Sequence, residues 1–161
     1  MTEHNDDLTR LADLVKDAKI ALLTTVNDEG HLHSRPLGLQ QDDFDGELWF
    51  LTQDPSSKVD EIRANPQVNV AFDSGKGWVS LAGTASIEHN SAKVDELWTP
   101  SASAWFPEGR EDPTIALVHV KGISAEIWST DDPKVVVLFK LTKAALTGGQ
   151  PDIGENKAFG L

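Results

Sequence analysis

Short apolar runs separated by polar turns make up most of the chain. The runs are rich in β-branched and aromatic residues, and Asp, Asn and Gly cluster between them, which is typical of antiparallel strands joined by tight turns. Gly83 and Gly122 stand inside the two longest runs, where a residue without a side chain favours a bend. The pattern predicts six strands at residues 20–26, 31–40, 47–52, 67–72, 78–88 and 114–128.

Helical spacing of apolar residues predicts three short helices, at residues 8–18, 54–65 and 91–98. The first helix follows a polar Asn5-Asp6-Asp7 cap. The second helix has Asp54 in the capping position and Pro55 at its first position. Each helix lies between predicted strands or before them, so we expect the helices to flank a sheet.

The C-terminal part of the chain carries conflicting signals. Three consecutive valines at 135–137 favour a strand, whereas Asp132-Pro133 and the helical spacing of Val135, Leu138 and Leu141 favour a capped helix. We predict a helix, followed by a polar tail from Gly148, over residues of about 132–161.

Six strands in meanders, two of them bent at glycine, favour a sheet that closes on itself. The predicted fold class is therefore mainly β, an antiparallel β-barrel with flanking helices. A length of 161 residues with 39% hydrophobic residues fits one domain over residues 1–161.

Charge and composition exclude several kinds of partner. The formal net charge of −12 disfavours nucleic acid and anionic membranes, and the longest apolar run, 135–139, is too short to cross a bilayer. Cysteine is absent, which removes disulfides, thiolate nucleophiles and cysteine metal sites. The acidic N-terminus lacks the pattern of a signal peptide, so we expect a cytoplasmic protein.

The second predicted strand has an unusual polar face. His31, His33 and Arg35 lie on the same side of the strand, and Pro36 interrupts its hydrogen bonding. Arg35 either forms a surface ion pair or binds an anionic ligand. The remaining histidines are scattered along the chain, so we predict no metal site.

The start of the second helix favours an anion. Free backbone N–H groups and the helix dipole attract negative charge there, whereas Lys58 in the same turn is disfavoured by the dipole. A phosphate held by Lys58, Ser57 and Arg35 would resolve the conflict. The alternative is that Lys58 pairs with Asp54 or Glu61.

One aromatic pair lies outside any periodic pattern. Trp105-Phe106 occupies a Ser-, Pro- and Gly-rich segment, where the two rings need a planar ligand or a second subunit to cover them. The sequence carries no hydrolase, zinc-protease or nucleotide-binding motif, so catalysis by a protein nucleophile has no candidate.

In order and spacing, these features resemble the FMN-binding split barrels related to pyridoxamine 5′-phosphate oxidase, specifically their bacterial general stress protein 26 branch. The resemblance covers nearly the whole chain. It rests on IALLTT at 20–25, SRPL at 34–37, LWFLT at 48–52, SK at 57–58, VSLAGTA at 79–85, WFP at 105–107 and GENK at 154–157.

The resemblance implies a six-stranded split barrel and a homodimer that binds FMN between its subunits, with FAD or riboflavin as alternative ligands. It implies that Ser57 and Lys58 hold the phosphate and that Trp105 and Phe106 approach the flavin from the partner subunit. The implied cofactor-binding residues are His33, Ser34, Arg35, Pro36, Leu37, Leu51, Thr52, Ser57, Lys58, Trp105 and Phe106.

The resemblance leaves the reaction open. The substrate-binding basic residues of the true oxidase have no counterpart after Trp128, so pyridoxamine phosphate oxidation is not expected. The first hypothesis is a flavin-binding general stress protein that stores or senses FMN, with or without redox activity. The alternatives are a flavin reductase that uses NAD(P)H, a deazaflavin-dependent reductase on the same fold, and a dimeric scaffold without cofactor.

Overall fold

A computed structural model describes residues 2–39, 41–129, 143, 145–149 and 155–161. Within these residues the α-helices with fully described bounds are α1 (Thr2–Asp17), α2 (Ser57–Ala64) and α3 (Ser91–Leu97). Short 3₁₀ turns lie at Ala102–Ala104 and Gly109–Glu111. The strands are β1 (Ile20–Val26), β2 (Leu32–Gly38), β3 (Glu47–Gln53), β4 (Gln67–Asp73), β5 (Gly77–Glu88), β6 (Ile115–Ser129) and β7 (Glu155–Gly160).

The strands form one curled antiparallel sheet in the order β2-β1-β4-β5-β6-β3. The long strand β6 pairs with β5 on one side. On its other side, β6 pairs with β3 through Ile115–Lys121 and with β7 through Ser124–Ser129. The result is a half-barrel with flanking helices, which confirms the predicted mainly-β barrel class.

The predicted irregularity in the two longest strands is a β-bulge. Ala82 pairs with Ser124 and Gly83 pairs with Gly122, so Ile123 is an extra residue on β6. The backbones of the two strands approach closely at this point. A Cβ atom added at Gly83 would lie 2.5 Å from the carbonyl oxygen of Lys121.

The main hydrophobic core lies inside the curl of the sheet, and α1 covers one side of it. Leu11 and Val15 of α1 are fully buried among core residues from strands β1 and β3–β6. Ion pairs join the two ends of the helix to the sheet: Asp7 binds Lys157 of β7 at 3.0 Å, and Asp17 binds Lys76 at 2.7 Å. The first helix therefore fastens β7 and the β4–β5 turn to the same core.

The starts of two helices differ from the prediction. The first helix begins at Thr2, before the predicted cap, so Asp6 and Asp7 lie within the helix near its N-terminal end, where the helix dipole favours them. Asp54 does not cap α2, because the backbone is still extended at Ser56, which occupies the N-cap position. Asp54 instead binds Arg63 at 2.7 Å.

The predicted polar tail contains a seventh strand. Its pairing with β6 supplies the backbone hydrogen bonds, and Phe159 and Leu161 pack against the core. The local sequence contains few apolar residues that would predict this strand. Residues 143 and 145–147 are helical. Most of the predicted C-terminal helix lies outside the described residues.

A polar cluster centred on the buried His119 spans the neighbouring strands β3, β6 and β5. The two ring nitrogens of His119 each lie 2.8 Å from a carboxylate oxygen, of Glu47 and of Glu88. The ring stacks on Trp49, with 3.7 Å between centroids and 7° between planes. Lys93 of α3 lies over the indole of Trp49, 4.9 Å from the ring centroid.

Substitution His119→Ala is expected to lower the free energy of unfolding by about 2 kcal/mol, because it removes a buried stacked ring and two hydrogen bonds. His31→Ala, at an exposed histidine, is the matched control and should change stability by less than about 0.5 kcal/mol. Urea unfolding of both variants measures the difference. Equal midpoints for the two variants would show that the stacked ring does not stabilise the fold.

Candidate anion and cofactor site

The start of α2 lies beside β1 and β2, and side chains from all three elements meet there. The first N–H groups of a helix have no partner within the helix, so they are available to a ligand. The hydroxyl oxygen of Ser56 is buried and has no hydrogen-bond partner among the described residues. A buried hydroxyl without a partner is uncommon in a native protein.

Lys58 is the cation of this helix turn. Burial, together with the nearby guanidinium of Arg35, lowers the pKa of Lys58, and Glu61 partly offsets this effect. Among the described residues, no hydrogen bond or ion pair engages the Lys58 ammonium. Asp54 forms an ion pair with Arg63, and Glu61 forms one with Arg35, whereas Glu61 acts on Lys58 only through its charge.

Arg35 reaches the same place from the second strand and forms an ion pair in a half-buried position. Its guanidinium donates to Thr25 Oγ1 at 2.5 Å, to the Leu23 carbonyl oxygen at 3.4 Å and to Glu61 Oε2 at 3.0 Å. The side chains of Arg35 and Glu61 are only 19% and 12% exposed. These contacts fix the guanidinium and leave part of its donor set for a ligand.

Glu61 connects the three elements. It accepts hydrogen bonds from Thr25 and Arg35, and His33 Nδ1 lies 3.1 Å from its Oε1. Burial alone would raise the pKa of the Glu61 carboxyl, but the hydrogen bonds of Thr25, His33 and Arg35 outweigh it, so the pKa is lowered. Glu61 is therefore ionised in the folded protein at neutral pH.

The lowered pKa predicts a loss of stability in acid. Because Glu61 binds its proton more weakly in the folded state, its contribution is fully present above the ordinary value of 4.5 and is lost as the pH falls through the folded-state pKa. The difference in unfolding free energy between wild type and Glu61→Gln should shrink over this range. Urea titrations at several pH values measure it, and a difference that grows in acid would contradict the prediction.

Of the other residues predicted to bind the cofactor, some lie on the strands beside this site and others pack into the hydrophobic clusters. Ser34 shares a 2.7 Å hydrogen bond with Thr24, and Thr52 is buried near the end of β3. Pro36 is exposed on β2. Leu37 packs against the main core. Leu51 packs against a second hydrophobic cluster, which is formed by the buried residues Val94, Leu97, Phe106, Ile115 and Leu117.

The aromatic pair is split between the interior and the surface. Phe106 is buried in the second cluster, whereas the Trp105 side chain is 76% exposed. The Trp105 carbonyl oxygen accepts a 3.4 Å hydrogen bond from Gln53, the last residue of β3. Trp105 therefore lies near the strand end that leads into α2, and it is the member of the pair that can contact a ligand or partner.

Thr25 and Ser56 were not predicted as site residues, and Glu61 was named from the sequence only as a possible partner of Lys58. Glu61 lies three residues after Lys58 and so shares its face of α2, which was the one available signal. The described residues contain no group of three or more His, Cys, Asp or Glu side chains placed to hold a metal ion. No helix in the described part of the chain is long and apolar enough to span a membrane.

The fold is that of an antiparallel split-barrel protein, with a cluster of Arg35, Lys58 and Glu61 between β1, β2 and α2. The chain belongs to the pyridoxamine 5′-phosphate oxidase-like family, whose model matches residues 6–152. The family predicted from the sequence resemblance is thereby confirmed.

Two solved structures with the same fold are named as general stress proteins. The chain is similar over 100% of both lengths to a protein named general stress protein 26 from Jannaschia sp., with 26% identity and a TM-score of 0.77. It is also similar to the general stress FMN/FAD binding protein of Xanthomonas citri, with 25% identity, a TM-score of 0.67, and coverage of 78% of this chain and 90% of that one. Flavin-binding proteins are therefore among the structural relatives.

A curated relative has a longer chain. Protein bli-3 of Neurospora crassa is 31% identical over 127 residues, which cover 71% of this chain and 61% of the relative. The chain thus spans less than two thirds of that relative's length.

Proposed function

We propose that this protein is a flavin-binding protein of the general stress type that holds FMN by its phosphate at the start of α2. The observation that carries the proposal is Lys58, a half-buried ammonium without a hydrogen bond or ion pair to any described residue, next to the guanidinium of Arg35. Lys58 and Arg35 carry two positive charges against the single carboxylate of Glu61, so the site keeps a net positive charge. A phosphate monoester, with a charge of about −1.5 to −2, would offset this charge.

The residues present fit such a group in charge and in hydrogen-bonding capacity. Lys58 and Arg35 supply charge-assisted donors, and the first N–H groups of α2 supply backbone donors. The buried hydroxyl of Ser56 has no partner and can turn to become a further donor. When bound, the flavin would supply reversible hydride and electron transfer.

The ring end of the flavin would lie toward segment 34–37 of β2 and the end of β3, as the family resemblance implies. His33, Ser34 and Pro36 are exposed along β2, and Trp105 is exposed near the end of β3. In this proposal Trp105 contacts the flavin bound to the partner subunit. Phe106 supports the position of Trp105 from inside the second hydrophobic cluster.

We also propose a homodimer, which the exposed apolar residues of the sheet support. Leu22 is 47% exposed and pairs with Pro36, and Trp78 and Trp128 form an exposed cross-strand pair on β5 and β6. Exposed apolar groups of this size often mark a contact surface. A second copy of the chain would bury them.

Sedimentation velocity followed at the flavin absorbance tests both parts of the proposal. With FMN added to the wild-type protein, we expect flavin to sediment with a species of two chains. Flavin absorbance that does not sediment with the protein would refute the binding proposal. Flavin that sediments with a single chain would refute the dimer.

A further inference from the structure

Glu61 has no evident place in a site built to attract a phosphate. Its side chain is 12% exposed, and both of its carboxylate oxygens already bind groups of the site: Oε1 is held by His33 at 3.1 Å, and Oε2 by Arg35 at 3.0 Å and by Thr25. An anion here repels a second anion that approaches the same cations. The position of Glu61 therefore needs an explanation beyond the binding of FMN.

The balance of charge in the ligand-free site explains why a carboxylate lies there. Arg35 lowers the pKa of Lys58, which means that the two cations repel each other, and Glu61 acts in the opposite direction on the same ammonium. The Glu61 carboxylate is thus the anion that offsets the two cations when no ligand is present. Its hydrogen bonds to β1 and β2 also hold α2 against the sheet.

We propose that Glu61 is an internal counter-ion that competes with the flavin phosphate for the cations of the site and thereby keeps the affinity for FMN below its maximum. This inference rests on the proposed phosphate site. Glu61 stabilises the ligand-free site and destabilises the FMN-bound site. It therefore favours the release of bound FMN.

Glu61 could instead strengthen binding by aiming Arg35. The contacts of Arg35 decide between the two effects. Without Glu61, the guanidinium keeps its hydrogen bonds to Thr25 Oγ1 at 2.5 Å and to the Leu23 carbonyl oxygen at 3.4 Å, so most of its orientation survives. The repulsion between a carboxylate and a phosphate disappears entirely, and in a half-buried site that repulsion is the larger effect.

The test compares Glu61→Gln with Asp60→Asn, titrating each variant and the wild type with FMN and with riboflavin. Asp60 is the preceding residue of the same helix and is exposed, so its amide variant removes the same charge without touching Arg35. For Glu61→Gln we expect FMN to bind about tenfold more tightly and riboflavin to bind unchanged. Asp60→Asn should change FMN affinity by less than about twofold because its charge is screened by water.

A second readout separates competition from a general structural effect. The unliganded Glu61→Gln variant should melt at a lower temperature than the wild type, so affinity and stability change in opposite directions. Weaker or unchanged FMN binding in Glu61→Gln would overturn the inference. If the wild type binds FMN and riboflavin equally well, the phosphate site itself is wrong, and the inference falls with it.

Discussion

Replacing Lys58 by alanine is expected to weaken FMN binding about a hundredfold, or about 2.7 kcal/mol, because a charge-assisted contact to the phosphate is lost. Riboflavin has no phosphate, so its affinity should change little. Fluorescence titrations with the two flavins measure both effects. Lys16→Ala, at an exposed lysine of α1, is the control and should leave both affinities unchanged.

The same substitution has an expected effect on stability that an ordinary structural lysine would not show. Burial and Arg35 lower the pKa of Lys58, so its protonated form costs stability in the empty protein. Unliganded Lys58→Ala should therefore melt at the wild-type temperature or slightly above it. Equal losses of FMN and riboflavin affinity, or a large fall in melting temperature, would show that Lys58 has a structural role instead.

Gly83→Ala is expected to lower the free energy of unfolding by about 3 kcal/mol, because the added methyl group has no room. The new Cβ would lie 2.5 Å from the Lys121 carbonyl oxygen and 2.9 Å from Val120 Cγ1. The backbone oxygen belongs to the neighbouring strand at the bulge, so it cannot move without disturbing the pairing of β5 and β6.

Gly160→Ala is the control for this prediction, because a Cβ at Gly160 has nothing within 4 Å. It should change stability by less than about 0.5 kcal/mol. Urea unfolding of the two variants compares them directly. A Gly83→Ala protein as stable as Gly160→Ala would show that the bulge can absorb a side chain.

The barrel could be predicted from local patterns because its strands carry their own signals. Asn27–Gly30 and Asp73–Gly77 mark tight turns, and the residues between turns alternate between buried and exposed positions, as in the buried Val68, Val70 and Phe72 of β4. Gly83 and Gly122 marked the place where β5 and β6 change register. These features depend on neighbours in sequence.

Strand β7 could not be predicted in the same way. Its first three residues, Glu155 to Lys157, are polar, and the strand forms because β6 offers an unpaired edge beyond its pairing with β3. The packing of Phe159 against the core adds to this tertiary effect. The contacts that form β7 are made with residues distant in sequence, so the local sequence gives little sign of this strand.

The candidate site shows the same division. The start of α2 and the polar face of β2 identified Lys58 and Arg35 from local sequence, and the structure brings them together. Glu61 binds Thr25 and Arg35 across 36 and 26 residues of sequence, so its partners depend on how α2 packs against the sheet. The sequence analysis named Glu61 only as a possible partner of Lys58, because Arg35 is distant from it along the chain.

The central claim is that the protein binds FMN by its phosphate, and one titration tests it most directly. Purified wild-type protein is titrated with FMN and with riboflavin at the same ionic strength, and flavin fluorescence follows binding. The account predicts that FMN binds at least about a hundredfold more tightly than riboflavin. Equal affinities for the two flavins, or no binding of either, would contradict it.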